Sequence, residues 1–431
     1  MNFSKKRSVS HYSVIPRTVR SGAESRVTVY PIGKSKYFSE TVDYDVRVVP
    51  MECFSHTWAD EPEFDRVEAS VQNGAISFTY TFEGEQSWTL IIRDPNTAAP
   101  LELQIYSLEE DLYGLNPYLG DLHSHSTGSD GREDPAIVAA NYRKEGFDFF
   151  ALTDHHKWEP SDEMIRAYDG IPLGIKLFHG EEVHVPNGCI HSVNFAGDTS
   201  VNAYYMENKE DVDAQIRAEA QQLQTPCGVN PVEYAYRKWV HQQIKASGGL
   251  SIVAHPNWIY RSTYHESMAM LGYVFEQGYY DAFELIGGQT VHENNMQTAF
   301  YQEARANGLR IPIVGSSDSH GTDPVSYFGI GRTIIFAKDL ERESVFDAIL
   351  RQRSVALECA YGEETRVYGT YRMVKYARFL LDFYFPAHDE LCVEEGILMR
   401  EYVQGNSEAG TALAALSGRV QRTMGRLLRG E

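Results

Sequence analysis

Histidines and carboxylates in this chain come in clusters whose spacing suits a metal ion. In Gly120-Asp-Leu-His-Ser-His-Ser-Thr-Gly-Ser-Asp-Gly131, His123, His125 and Asp130 fall within eight residues. In an extended segment, side chains two residues apart point the same way, so the His123 and His125 imidazoles can converge on one point, which suits a divalent transition metal. Thr153-Asp-His-His156 and Ser316-Ser-Asp-Ser-His320 repeat the pattern. Lys176-Leu-Phe-His-Gly leads into Glu181 and Glu182, Cys189-Ile-His-Ser-Val-Asn-Phe carries His191, and Leu250-Ser-Ile-Val-Ala runs into His255.

These clusters need elements that bring them together. Residues 147–152 form an apolar run after a helix-like stretch at 135–145 with Gly146 at its end, so Thr153-Asp-His-His sits where a buried strand runs out into a loop. Parallel α/β folds place chemistry at that end of the strand. Of the five later clusters, four lie at or just after a short apolar strand, and His191 lies within one. Helical patterns at 135–145, 233–247, 293–307 and 344–353 alternate with the strands, which predicts a parallel βα architecture.

With these motifs in place, residues 120–357 resemble the polymerase and histidinol phosphatase (PHP) superfamily of metal-dependent hydrolases. The resemblance implies a distorted (βα)7 barrel and a cluster of two or three divalent metal ions, zinc, manganese or iron. Matched residue by residue, it selects His123, His125, Asp130, His155, Glu182, His191, His255, Asp318 and His320 as ligands. It implies that His123, His125, Glu182 and Asp318 hold one ion, that Glu182 bridges to a second held by His191 and His255, and that Asp130, His155 and His320 hold a third. Glu181 competes with Glu182, and His156 with His155; the family's G-x-E and T-D-H patterns favour Glu182 and His155. Only one of the adjacent glutamates can point into the site, because successive strand side chains face opposite ways. His179, His184, His265 and His292 are read as structural or surface residues.

A hydrolase needs hydroxide at neutral pH and a counter-charge for the attacked group, and paired metal ions provide both. Nine ligands with only three carboxylates leave such a site net positive inside a chain of formal charge −21, which favours a small anionic substrate, phosphate first. The reaction expected is phosphate release from a small phosphorylated metabolite or nucleotide. The alternative is a carboxyl-ester, carbamate or amide hydrolase, because an added amino-terminal β domain looks like the PHP branch that includes carbamate hydrolases. His156 and Lys157 are candidates for protonating the leaving group. Arg132, Lys157, Trp158, Asn257, Trp258 and Arg261 follow ligand segments closely and are candidates for lining the mouth.

The flanks carry no ligand cluster. Residues 1–115 contain short alternating runs separated by turn residues, expected as a β-sandwich; 116–357 form the catalytic domain, and 358–431 a helical appendage. Helical runs are expected at 366–385, 390–404 and 407–428, either packed on the barrel or making a dimer contact. Residues 198–230 read as a helical excursion near the mouth or as surface decoration. The excess of 60 acidic over 39 basic residues argues against a nucleic-acid polymer or an anionic membrane as partner. No apolar run is long enough to span a bilayer, and the amino terminus has charge without an apolar stretch after it. Cys53, Cys189, Cys227, Cys359 and Cys392 are odd in number and scattered, as for reduced thiols, so the cytoplasm is the expected location. Cys189 is read as a buried bystander. Neither a nucleotide-binding Gly-rich loop nor a serine-hydrolase elbow is present.

Overall fold

The computed structural model describes residues 11–52, 63–186, 190–288 and 290–430. Cys53 and Cys189, the latter considered above for its closeness to His191, lie outside these residues. The chain divides into two units. One comprises Asn116–Met373 and Leu391–Ser417, the other the described residues from 11 to 115 with Val374–Glu390 and 418–430.

The amino-terminal unit holds two sheets. Tyr12–Ile15, Glu24–Pro31, Ala75–Thr81 and Ala69–Gln72 make a four-stranded antiparallel sheet; Thr18–Arg20, Leu101–Leu108, Ser87–Arg93, Asp45–Pro50 and Asp65–Val67 make a five-stranded one. In Ser87–Arg93 the residues Trp88, Leu90 and Ile92 are buried and alternate with less buried neighbours, the period of a half-covered strand. Val27, Val29 and Phe78 from one sheet join Val48, Leu90 and Ile105 from the other in a single apolar cluster. Helix Arg419–Arg429 buries Val420, Met424 and Leu428, spaced four apart, and leaves Arg422 and Arg426 exposed.

The unit carrying the histidine clusters is mixed α/β. One sheet runs Lys176–Phe178, Phe149–Ala151, Asn116–Asp121, Gly331–Ala337, Ser354–Glu358, Arg366–Tyr368; a second runs Gly180–Val183, Ser192–Phe195, Leu250–Val253, Ala282–Ile286, Ile313–Gly315. Phe149 and Phe178 from the first pack with Val193, Ile252 and Val314 from the second. Helices Pro135–Lys144, Pro231–Ala246, Val291–Ala306 and Arg342–Leu350 fall where the sequence pattern puts them.

Strand sense departs from the all-parallel expectation. Phe149–Ala151 is parallel to both its neighbours, as is Ala282–Ile286, but Ser192–Phe195 and Gly331–Ala337 are antiparallel to theirs. Between Gly180–Val183 and Ser192–Phe195 the cause is connection length, since segment 184–191 is too short for a parallel crossover, which takes about a dozen residues or more. Gly331–Ala337 runs antiparallel to Ser354–Glu358 even though helix Arg342–Leu350 joins them.

The excursion at 198–230 contains helices Val201–Glu207 and Lys209–Ala220, whose Val201, Tyr205, Val212 and Ile216 pack on Trp239, Val240 and Ile244. The carboxyl-terminal runs need two corrections. Residues 366–368 are a strand rather than the start of a helix, and 407–428 is two helices, Ser407–Leu416 and Arg419–Arg429, separated at Gly418 with φ 68°. A left-handed φ costs glycine nothing and ends the first helix. Within the same unit as the histidines, Arg143 is fully buried with its guanidinium on the Phe147 carbonyl at 3.0 Å, Asp148 Oδ1 at 3.2 Å and Glu395 Oε2 at 2.8 Å.

Candidate metal centre

Two distant segments are joined first. Asp318 N donates to the His123 carbonyl at 3.0 Å and His125 N to the Ser319 carbonyl at 2.9 Å, and Ser124 and Ser319 form a parallel bridge. Behind them Asp121, fully buried, accepts from His123 N at 3.2 Å, Ser317 N at 3.2 Å, Ser317 Oγ at 2.6 Å and Tyr142 Oη at 3.0 Å. Burial raises the Asp121 carboxyl to about 6 against the pull of these donors. The result sets His125 Nε2 2.9 Å from Asp318 Oδ1. Asp318 adopts φ 49°, a left-handed conformation uncommon outside glycine and asparagine-like residues.

Asp154 shapes the next segment. Its carboxylate accepts from Ser126 N and Ser129 N, both at 2.9 Å, and from both serine hydroxyls at 2.6 Å. That pins the loop carrying Asp130, whose Oδ1 lies 3.4 Å from His155 Nε2 and 3.3 Å from His320 Nε2. Residues 155 and 182 form a parallel bridge, which brings the strand end after Phe149–Ala151 alongside Gly180–Val183.

Glu182 is the centre of the arrangement. Its Oε1 lies 2.8 Å from His191 Nδ1 and 3.3 Å from His255 Nε2; its Oε2 lies 2.6 Å from His155 Nδ1, 3.1 Å from His184 Nε2, 3.5 Å from His123 Nε2 and 3.7 Å from His125 Nε2. Glu181 faces the other way. It accepts from Ser200 Oγ at 2.7 Å, Asn202 Nδ2 at 2.9 Å and Asn194 Nδ2 at 3.1 Å. His155 faces Asp130 and Glu182, whereas His156, with φ 61°, is exposed. All nine residues selected from the sequence are thus brought together around Glu182 and Asp318.

Burial would raise the Glu182 carboxyl, but His191, His184 and His123 hold it well below the usual range. Burial would likewise lower His123, and Glu284, Asp318 and Glu182 hold it well above. His320 is raised to about 9 against burial by Asp130 and Asp318, while His125 and His191 are pushed down to about 4, chiefly by burial. Neither oxygen of Glu182 accepts a hydrogen bond of ordinary geometry, and both are buried, as are the equally unpartnered His123 Nε2 and His191 Nδ1. Leaving such groups unsatisfied in a low-dielectric interior is costly, and a cation among them removes the cost. The donor set, imidazoles with carboxylates, fits a divalent transition metal. Among the described residues, four sets of side chains can offer converging atoms to an ion: His125, Asp130, His155 and His320; His123, Glu182 and His255; His123, His125 and Asp318; His155, Glu182 and His184.

Several residues of this site escaped the sequence reading. Glu284, buried in the strand Ala282–Ile286, places Oε1 3.2 Å from His123 Nδ1 and accepts from His255 N at 3.0 Å. A lone glutamate inside an apolar strand was the available signal. His184 shares a face with Glu182 by strand alternation, another signal that could have found it. His265 reaches His191 from a loop, with ring centroids 4.2 Å apart, and nothing in its neighbours' types marks it.

The other candidates sit apart from the ligands or at the rim. Lys157 is exposed with Nζ 2.5 Å from the Gly128 carbonyl. Arg132 is exposed and paired with Asp323 at 3.1 Å. Trp158 stacks on His179 at 4.4 Å and donates Nε1–H to the Gly197 carbonyl at 3.0 Å. It is Trp258 that flanks the ligands, 5.6 Å from His191 and 6.0 Å from His255 between ring centroids. Arg261 is exposed over the Tyr260 ring. Asn257 is buried with Oδ1 lacking a partner among the described residues.

No family model matches the chain, and no curated protein matches it. Among solved structures it is similar to a two-domain protein from Bacteroides vulgatus containing a predicted PHP-like metal-dependent phosphoesterase, at 17% identity and TM-score 0.41, covering 57% of this chain and 66% of that one. The match thus spans just under two thirds of that protein. A provisionally assigned metal-dependent phosphoesterase from Bifidobacterium adolescentis matches at 18% identity and TM-score 0.37, covering 54% of this chain and 96% of that one. An amidohydrolase from Chromobacterium violaceum matches at 19% identity and TM-score 0.32, covering 47% and 87%.

Proposed function

We propose that this chain is a metal-dependent hydrolase of the PHP superfamily that releases phosphate from a small phosphorylated metabolite or nucleotide. The observation that carries the reading is Glu182, a buried carboxylate with no hydrogen-bond donor of its own and six imidazole nitrogens within 3.7 Å. The fold reading that goes with it is a distorted (βα)7 barrel with an amino-terminal β-sandwich and a helical appendage, working in the cytoplasm.

His123, His125, Glu182 and Asp318 would hold one ion, Glu182, His191 and His255 a second, and Asp130, His155 and His320 a third. Zinc, manganese and iron all suit this donor set. Bound divalent ions supply Lewis acidity, lowering the pKa of water and neutralising charge on the attacked group. The chain's own residues supply position. Glu284 fixes the His123 ring from behind, Asp121 ties the segments of His123 and Asp318 together, and Asp154 sets the loop of Asp130. His156 and Lys157, exposed beside His155, would protonate a departing alkoxide. Arg132 and Arg261, exposed on loops that follow ligands, are available to an anionic substrate group, and buried Asn257 would orient it. Trp158, occupied with His179 and Gly197, has the weakest support as a substrate contact.

Glu284 favours a second reading. Counted with Glu284, which lies behind His123, the carboxylates of the centre would neutralise two divalent ions, and a third would be needed for a net positive site. A two-ion protein would suit a neutral carboxyl-ester, carbamate or amide; a three-ion protein suits a phosphate. The test is turnover of p-nitrophenyl phosphate and p-nitrophenyl acetate by metal-reconstituted protein, with the ion count measured on the same sample and the His255→Ala variant as blank. Phosphate release lost in the variant is expected. Ester cleavage alone would select the second reading, and turnover of both substrates unchanged in the variant would sink the hydrolase site.

A further inference from the structure

We propose that His184 Nε2, His155 Nδ1 and Glu182 Oε2 form a metal position of their own, for a divalent ion that accepts imidazole ligands, beyond the nine-ligand set that the PHP resemblance implies. The inference rests on the reading that this site binds divalent ions, and its argument is local.

The three atoms form a tight triangle. His155 Nδ1 lies 2.6 Å from Glu182 Oε2 and 2.9 Å from His184 Nε2, and His184 Nε2 lies 3.1 Å from Glu182 Oε2. Protons cannot satisfy all three. The two ring nitrogens share one hydrogen-bond axis, so one of them must act as acceptor, and Oε2 is left without a donor of ordinary geometry. Three potential ligand atoms within 3.1 Å of one another, with at most one proton between the two nitrogens, suit a cation seated over the face of the triangle. Glu182 and His184 are almost completely buried and His155 is partly so, which shields the position from water without closing it.

The backbone is also built to present His184. Strand alternation from Glu182 puts both side chains on one face. Asn202 clamps the turn, accepting from His184 N at 3.1 Å and donating to the Glu182 carbonyl at 3.1 Å. His191 packs on the far side of the His184 ring, with centroids 4.0 Å apart.

His155 faces two ways, with Nε2 toward Asp130 and Nδ1 toward this triangle. Giving Nδ1 to the new position does not empty the other, because His125, Asp130 and His320 still converge there. With His155 given to Glu182 and His184, the third ion would be held by His125, Asp130 and His320 instead of the Asp130, His155 and His320 set given above, and the first by His123, Glu182 and Asp318.

The test uses the full chain loaded with Zn2+ or Co2+ and does not depend on turnover. Ions per chain are counted by elemental analysis in the wild type and in His184→Gln, and the visible and near-ultraviolet spectrum is recorded for Co2+-loaded His184→Cys. One ion fewer in His184→Gln, together with a thiolate-to-cobalt charge-transfer band in His184→Cys, is the result expected. Should His184→Gln fail to fold, the band in His184→Cys decides alone, since a thiolate at 184 gives it only by ligation. In a wild type that binds ions, an unchanged count or a missing band overturns this position and leaves the hydrolase reading standing. A wild type that binds no ions overturns both.

Discussion

His123 Nδ1 lies 3.2 Å from Glu284 Oε1, while the same ring presents Nε2 to Glu182 and Asp318 at 3.5 and 3.4 Å. One carboxylate thereby fixes which nitrogen of His123 is free to ligate, and through His255 N it also steadies a second ligand. Replacing Glu284 with Gln keeps the shape and removes the charge. Metal affinity should fall about 10- to 100-fold, as for other carboxylates that orient a ligating histidine. Competition with a chromophoric chelator measures it, and an unchanged affinity would remove Glu284 from the machinery.

Asp154 holds four donors of the loop 126–129. Asp154→Ala leaves Ser126 and Ser129 without their acceptor and should destabilise the protein by about 1–3 kcal/mol, the cost of stranding buried polar groups. The same variant should lose the ion held on the Asp130 side while keeping those around Glu182. Urea unfolding and elemental analysis of one preparation separate the two effects.

Ligand types at strand ends were legible from sequence because metal coordination restricts chemistry to a few residues and strands restrict where they point. The convergence of His123 and His125 followed from their spacing, whereas Asp318 and His320 were selected by the family resemblance. Asp121 and Asp154 did not yield to it, since their roles depend on hydrogen bonds to segments up to 196 residues away. Glu284 stands alone among apolar residues in a strand whose pattern reads as core. Strand sense is not legible from helical alternation, which says nothing about connections too short for a crossover, as between Gly180–Val183 and Ser192–Phe195. The helix break at Gly418 could have been read from glycine's preference for positive φ.

Arg143 is buried against Asp148 and Glu395. Arg143→Ala strands both carboxylates and should cost about 3–5 kcal/mol. A lowered urea midpoint with an unchanged slope is the expected signature; a shift below about 1 kcal/mol would mean that water replaces the guanidinium.

His241 gives the clearest pH dependence away from the ligands. Burial, aided by Arg237 and Lys245, pushes it down to about 3, and it contacts Ser251 Oγ. An unfolded histidine titrates near ~6.5. Between those values the unfolded chain takes up a proton that the folded chain refuses, so stability from this group is complete above about 6.5 and declines as pH falls toward 3. His241→Asn should therefore lose less melting temperature than the wild type on going from about pH 7 to about pH 5. Equal losses would show that His241 is not held neutral.

Glu181 turns away from the ions, yet its carboxylate is gripped by Ser200 and Asn202 at the start of the helix Val201–Glu207. The excursion at 198–230 is thus the rear wall of the residue pair on which the centre is built. It is not a portable loop. A relative's excursion grafted in its place would have to bring donors for a buried charge, or Glu181 would swing free and carry Glu182 out of register with six imidazoles at once.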